Sequence, residues 1–160
     1  MALKLVRVDD RLIHGQVVAV WLRSVGADRI VIIDDKTAKD EFLKDLMVLA
    51  APQGVPVEVH GTAEGAQRAV EIAATSERAF VLVRSPLTAL QLRKAGVPFP
   101  VLNVGGMGAA PGRRALYRNI AANDEERQAM RDLEAMGTRV ELRIVADDRA
   151  VPFSSVDKGA

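Results

Sequence analysis

From residue 3 to residue 145 the chain repeats one pattern: a short β-branched run, then a stretch whose apolar residues fall at helical spacing. This alternation constrains the fold more than any single motif does. Each helix carries the chain back, so the next strand runs in the same direction and the product is a mostly parallel sheet. "LKLVRV" (3–8) reads as the first strand, and "GQVVAVWLRSV" (15–25) as a helix ending near Gly26. "RIVIID" (29–34) is a nearly unbroken apolar run, as expected of a strand buried on both faces. "TAKDEFLKDLMVLAA" (37–51) sets Phe42, Leu43, Leu46, Met47 and Ala50 on one helical stripe. "VPVEV" (55–59) is a strand that Pro56 places nearer an edge. Residues 62–74 form an Ala-rich helix with Ala66, Ala69, Val70 and Ala73 inward.

The second half continues the pattern. "RAFVLV" (78–83) is a strand, followed by a Ser85 cap and Pro86 at the first helical position. "PVLNV" (100–104) is a strand leading into the loop "GGMGAAPGR" (105–113), and a short strand is expected around Leu116 to Ile120. Asn123 with Glu126 starts a helix whose inward face carries Ala129, Met130, Leu133 and Met136, and Gly137 ends it. "TRVELRIV" (138–145) is the last strand, and residues 152–160 read as a patternless, mobile tail. The expectation is an α/β chain: one domain over 1–160, an open, mainly parallel twisted sheet with helices on both faces.

Composition narrows the function. The 22 basic and 21 acidic side chains leave a net charge of +1, with no run of five like charges. A nucleic-acid surface needs a clustered positive excess, so none is expected. The absence of cysteine excludes disulfides, thiolate metal sites and cysteine nucleophiles. The apolar runs, such as "LMVLAA" (46–51), fall far short of a membrane span, and charges interrupt the N-terminal "MALKLVRVDD". A cytoplasmic protein is expected.

In an open α/β sheet, ligands bind beyond the carboxyl ends of the strands. Those ends here carry Asp9 to His14, Asp34-Asp35, His60-Gly61, Arg84-Ser85 and Asn103 to Gly106. His14 and Ser85 stand directly before helices, whose first N–H groups form ready anion sites. In "RVDDRLIHGQV" (7–17), Arg11 brings a guanidinium fork suited to phosphate, and Gly15 lets the backbone approach a ligand. The amides of Gly15, Gln16 and Val17 can point at an anion on the His14 ring. A neutral imidazole nitrogen is a competent nucleophile toward phosphorus. Asp9 or Asp10 could hold the other ring nitrogen or orient Arg11, and spacing does not choose between them.

"RVDDRLIHGQV" together with "NVGGM" (103–107) closely resembles the IIB component of the mannose/fructose/sorbose family of the bacterial sugar phosphotransferase system. The resemblance covers nearly the whole chain. It implies that His14 accepts a phosphoryl group from a histidine of a IIA component. His14 would then pass the group to a sugar entering through membrane IIC and IID components. It further implies that Arg11 helps hold the phosphate, that the protein forms a homodimer, and that it associates peripherally with the membrane transporter. Asp9 and Asp10 would orient the site, Gly15, Gln16 and Ser85 would contact phosphate, and Asn103, Gly105 and Gly106 would flank it. No metal or cofactor is called for.

Other readings compete at particular residues. Asp9-Asp10 after a first strand also fits a receiver-type domain phosphorylated on aspartate with Mg²⁺, but further converging carboxylates are missing. A regulatory phosphoprotein uncoupled from transport would carry the same motif. Asp34-Asp35 reads as a helix cap. His60 reads as a turn residue that reaches the site only if its strand end lies close by. Trp21, in an almost wholly apolar helix, reads as core.

Overall fold

The computed structural model describes residues 2–158. In chain order the elements begin with β1 (Leu3–Asp9), α1 (Gly15–Val25), β2 (Arg29–Ile33), α2 (Asp35–Ala38), α3 (Glu41–Ala50) and β3 (Val57–His60). Next come α4 (Thr62–Ala73), β4 (Ala79–Val83), α5 (Pro86–Lys94), β5 (Val101–Gly106) and the strands β6 (Arg114–Tyr117) and β7 (Ile120–Ala122). The chain closes with α6 (Asp124–Ala135), β8 (Arg139–Leu142), β9 (Val151–Pro152) and α7 (Phe153–Val156). The main sheet has the order β3-β2-β4-β1-β5-β8-β9, parallel throughout except for β9, which runs antiparallel to β8.

Period-two alternation along the strands divides the core. Ile30, Ile32, Phe80 and Leu82 face one side, where Val18, Trp21 and Leu22 of α1 cover them. Val31, Ile33, Val81 and Val83 face the other, under Ala69 and Ile72 of α4, Leu92 of α5 and Leu133 of α6. The expected architecture, helices on both faces of a mainly parallel sheet, is the one observed. As Pro56 foretold, β3 lies at an edge. Chain direction across the sheet reverses around β1: α1 leads leftward to β2, whereas α5 leads from β4 over β1 to β5. The end of β1 is therefore the switch point at which such sheets bind ligands.

Several local expectations are corrected. The helix expected over 37–51 is two helices, because Asp40 accepts hydrogen bonds from the Phe42 and Leu43 amides and starts a new one. Its apolar stripe docks only in part: Met47 packs against the core and Leu43 is half-buried, whereas Phe42 is 68% exposed and Leu46 faces solvent as well. In α4 the buried positions are Gly65, Ala66, Ala69 and Ile72, and Val70 points outward. Met136 of the expected inward face of α6 is exposed at the helix end. The 114–122 stretch is a two-stranded hairpin, β6–β7. Local signals fared better: Asn123 and Glu126 form a reciprocal capping box, and Ser85 caps α5 ahead of Pro86.

The largest correction concerns the tail. Residues 151–156 form β9 and α7, and Phe153 is fully buried among α6 and β8 side chains. Residues 159–160 of the expected tail lie outside the described residues. Phe153→Ala should cost about 3–5 kcal/mol, the range for emptying a buried aromatic site. Urea unfolding measures this, and a loss below about 0.5 kcal/mol would show that the tail does not contribute to the core.

Candidate active site at the carboxyl edge

β1 delivers two charged residues to its carboxyl end, Arg7 and Asp9, both about 1% exposed. Two buried charges persist only when each is paired and hydrogen-bonded. Arg7 meets that demand fully. Its Nη1 donates to Asn103 Oδ1 at 2.5 Å and to the Arg143 carbonyl at 2.9 Å. Its Nη2 donates to the Ile144 carbonyl at 2.8 Å and, at 3.4 Å, to Asp9 Oδ2. The guanidinium also stacks 5.0 Å from the Trp21 ring, with Arg143 at 5.2 Å from the same ring. Burial lowers the Arg7 pKa to about 10, against the opposing pull of Asp9.

Asp9 distributes the charge it receives. Oδ2 lies 2.9 Å from His14 Nε2, and Oδ1 accepts from the Arg11 backbone amide at 3.1 Å and Arg11 Nε at 3.3 Å. Burial opposes the carboxylate's charge, yet hydrogen bonds from His14 and the Arg11 amide, with the charges of His14 and Arg7, hold its pKa below the ordinary value. An ionised Asp9 can only accept, so His14 Nε2 carries the proton, and in the neutral ring Nδ1 keeps its lone pair. Asp9 is thus the residue that holds the ring.

The backbone between them is bent to fit. Leu12 adopts φ of +57° and its amide closes a turn onto the Asp9 carbonyl at 3.0 Å. A left-handed leucine costs about 1–2 kcal/mol, and burial of Leu12 and Ile13 in the α1-side core offsets it. His14 is the N-cap residue of α1 and makes no side-chain cap bond, so the first-turn amides are left for a ligand. Gly15 has φ of +51° with open space where a Cβ would stand. Its requirement is the backbone angle rather than room. His14 is 20% exposed and Arg11 58%, so Arg11 is anchored at Nε while its outer nitrogens remain in solvent.

Asp10 does different work. Its carboxylate accepts from the Gly108 amide at 3.0 Å and from Arg113 Nη1 at 3.2 Å, and its amide donates to the Gly106 carbonyl. It ties the glycine-rich loop to β1. Arg84 adds a hydrogen bond to the Asp10 carbonyl while its Nε bonds Asp34.

The second motif is the complement of the first. A Cβ at Gly105 would lie 2.0 Å from Arg7 Nη1, and one at Gly106 would lie 2.3 Å from Asp9 Oδ1. Asn103, Gly105 and Gly106 thus enclose the Arg7–Asp9 pair rather than a ligand. Sequence reasoning missed Arg7; the only signal was a charged residue inside an apolar strand. The Ser85 hydroxyl accepts from the Leu87 amide as a cap, leaving its own proton to donate. His60 pairs with Glu58 at 2.9 Å. Two strands separate β3 from β1, roughly 14 Å at normal strand spacing, so His60 stays outside the site. Asp34 caps α2 through Thr37, and Asp35 accepts from the Thr62 amide and hydroxyl.

Fold and site together define a class: a doubly wound α/β protein with an oriented imidazole exposed at the switch point, between an arginine and an uncapped helix start. A family model described as the sorbose subfamily IIB component of the PTS system matches residues 3–158. The sorbose-specific EIIB component of Klebsiella pneumoniae is 36% identical over 151 residues, covering 94% of this chain and 92% of that protein. The fructose-specific EIIB component of Bacillus subtilis is 31% identical, covering 98% and 96%. The crystal structure of the IIBSor domain of the Klebsiella pneumoniae sorbose permease superposes with a TM-score of 0.92 at 34% identity, over 100% of this chain and 99% of that one. The chain belongs to the sorbose subfamily of PTS IIB components, which are sugar phosphotransferases.

Removing the charge of Asp9 isolates Arg7 in the interior. Asp9→Asn should destabilise the protein by about 3–5 kcal/mol at pH 7. Because the folded Asp9 is more acidic than the unfolded one, its contribution is complete above the ordinary value near 3.9 and is lost as pH falls through the depressed value. The penalty should therefore shrink in strong acid, as denaturant titrations at pH 7 and pH 3 can check; a pH-independent penalty would contradict the assignment. Gly105→Ala should cost about 1–3 kcal/mol by overpacking. Paired with Arg7→Met in a double-mutant cycle, its cost should be less than additive.

Proposed function

We propose that this IIB component is a cytoplasmic phosphocarrier in which His14 accepts a phosphoryl group from a IIA component. The group then passes to a sugar imported through IIC and IID membrane components. The observation that supports this most directly is the hydrogen bond between Asp9 and His14 Nε2. It places the proton on Nε2, which leaves Nδ1 of the neutral ring as the nucleophile at the start of α1. No helix among the described residues is long and apolar enough to cross a membrane. The residues 1–160 act as a single domain, and the working form is a homodimer.

The transfer balances simply. The Nδ1 lone pair attacks phosphorus, and the bond from phosphorus to the donor imidazole breaks, returning its electron pair to the donor ring. The proton on Nε2 stays in place, and the ionised Asp9 balances the positive charge that the phosphorylated ring gains. Arg11, with two outer nitrogens in solvent, and the amides of Gly15, Gln16 and Val17 would neutralise the phosphoryl oxygens. Ser85 is a further hydroxyl donor at the same edge. Onward, a sugar hydroxyl attacks phosphorus, the bond from phosphorus to Nδ1 breaks with its electron pair returning to the ring, and the hydroxyl proton leaves to water. Asp10 acts indirectly, by holding the 107–113 loop beside the site.

Phosphoryl transfer from a purified, phosphorylated IIA component should label His14 alone, as an acid-labile, alkali-stable adduct. His14→Gln should abolish labelling with the fold intact, and His60→Gln should leave it. Arg11→Lys should slow transfer and Arg11→Ala should slow it further, by roughly ten-fold or more, since Lys keeps the charge and loses the fork. Label on any residue other than His14 defeats the proposal, and an Arg11→Ala rate equal to wild type removes Arg11 from it.

A further inference from the structure

Beside His14 a cleft of about 300 Å³ opens between α1 and the turn that follows β8. Gln16, Val17, Val20 and Trp21 form one wall, and Val145, Ala146 and Asp147 form the other. Both walls belong to the carboxyl edge, since α1 begins there after β1 and the turn leaves β8 there. Val20 and Val145 are exposed large hydrophobics, which gives the cleft a wet, β-branched interior. Trp21 beneath them is nearly fully buried and lies against Arg7 and Arg143, so this floor is fixed. The turn is equally constrained: Arg143 donates to the Ala146 and Asp148 carbonyls, and Arg7 to the carbonyls of Arg143 and Ile144. A rigid apolar centre with Gln16 and Asp147 beside it has the anatomy of an interface anchor pocket.

The occupant follows from geometry. A protein that delivers a phosphoryl group to His14 must dock over it, and a standard interface covers about 800 Å² per partner, a disc roughly 16 Å in radius. Val17 and Val20 lie three and six residues beyond His14, about 4.5 and 9 Å along the helix axis. The cleft therefore falls within a footprint of that size centred on His14. A sugar is the wrong guest, because its hydroxyls need several converging polar groups, and beyond the buried indole N–H of Trp21 only Gln16 and Asp147 offer polar side chains. We propose that this cleft takes an apolar side chain of the phosphohistidine-bearing donor protein and anchors it over His14. The proposal rests on His14 being the phosphoryl acceptor.

The test compares two donors, the purified phosphorylated IIA component and the small-molecule donor phosphoramidate. Val20→Asp and Val145→Asp each put a charge into the cleft from opposite walls at exposed positions, and unchanged thermal midpoints confirm folding. With phosphorylated IIA, each variant should raise KM at least roughly ten-fold with kcat nearly unchanged. With phosphoramidate, His14 labelling should match wild type. An unchanged KM in both variants overturns the proposal, as does an equal loss with both donors. A defect confined to onward transfer with the membrane components would assign the cleft to that partner instead, and a change of oligomeric state at unchanged KM would assign it to a second copy. If wild type takes label at a residue other than His14, the functional reading fails, and that outcome is distinct from failure at the cleft alone.

Discussion

The interaction on which the rest of the site depends is the buried contact between Arg7 and Asp9. A guanidinium and a carboxylate removed from water at the centre of a sheet would be costly if either were left incompletely paired. Every surrounding feature acts to prevent that. Asn103 on β5 accepts from Arg7, the carbonyls after β8 cap its other edges, and Trp21 of α1 covers its face. Gly105 and Gly106 exist as glycines because the pair fills the space their side chains would need. Three neighbouring strands and a helix are thereby keyed to one ion pair, which ties their register to the geometry of the edge.

Asp9 converts that rigidity into chemistry. One carboxylate oxygen meets His14, and the other meets the Arg11 backbone and side chain. The imidazole is further fixed from below, since the strained Leu12 and its neighbour Ile13 are pinned in the core immediately before it. The result is an asymmetric site. The ring is held at one nitrogen and its loop is anchored in the core by Leu12 and Ile13, whereas the end of Arg11 is exposed to solvent.

What could be read from the sequence was whatever is local. β2 and β4 are buried on both faces, so their apolar runs were unmistakable, and the capping residues Ser85, Asn123 and Asp34 act within three residues of themselves. His14, Arg11 and Gly15 stand in one short motif, and their grouping was legible for that reason. Arg7 was not, because an arginine in a strand is ordinarily read as solvent-facing, and the partners that make it a core residue lie 96 and 136 positions away. The separate roles of Asp9 and Asp10 were hidden for the same reason: Asp9 ends β1 and Asp10 begins the turn, and only the fold shows that one meets His14 and the other meets Arg113. Phe153 was missed because a single aromatic in a short polar segment carries no periodicity. Phe42 and Leu46 misled in the opposite direction, since helical spacing of apolar residues does not say what, if anything, the stripe will meet.

On the proposed mechanism, the sharing of Asp9 would tune His14 as a carrier. A carboxylate devoted wholly to the ring would stabilise the positively charged phosphohistidine strongly, and a group bound that well would be slow to leave. Here the same carboxylate also serves Arg7 from within and Arg11 from the surface. Each of those contacts draws off part of its negative potential, so its pull on the imidazole is less than that of an isolated aspartate at 2.9 Å. On the proposed mechanism Arg11 would act on both sides of the balance. Moving its fork toward an incoming phosphoryl group would loosen its hold on Asp9 and so free negative charge to support the phosphorylated ring. On departure of the phosphoryl group the guanidinium would return to Asp9 and restore the contacts of the resting site.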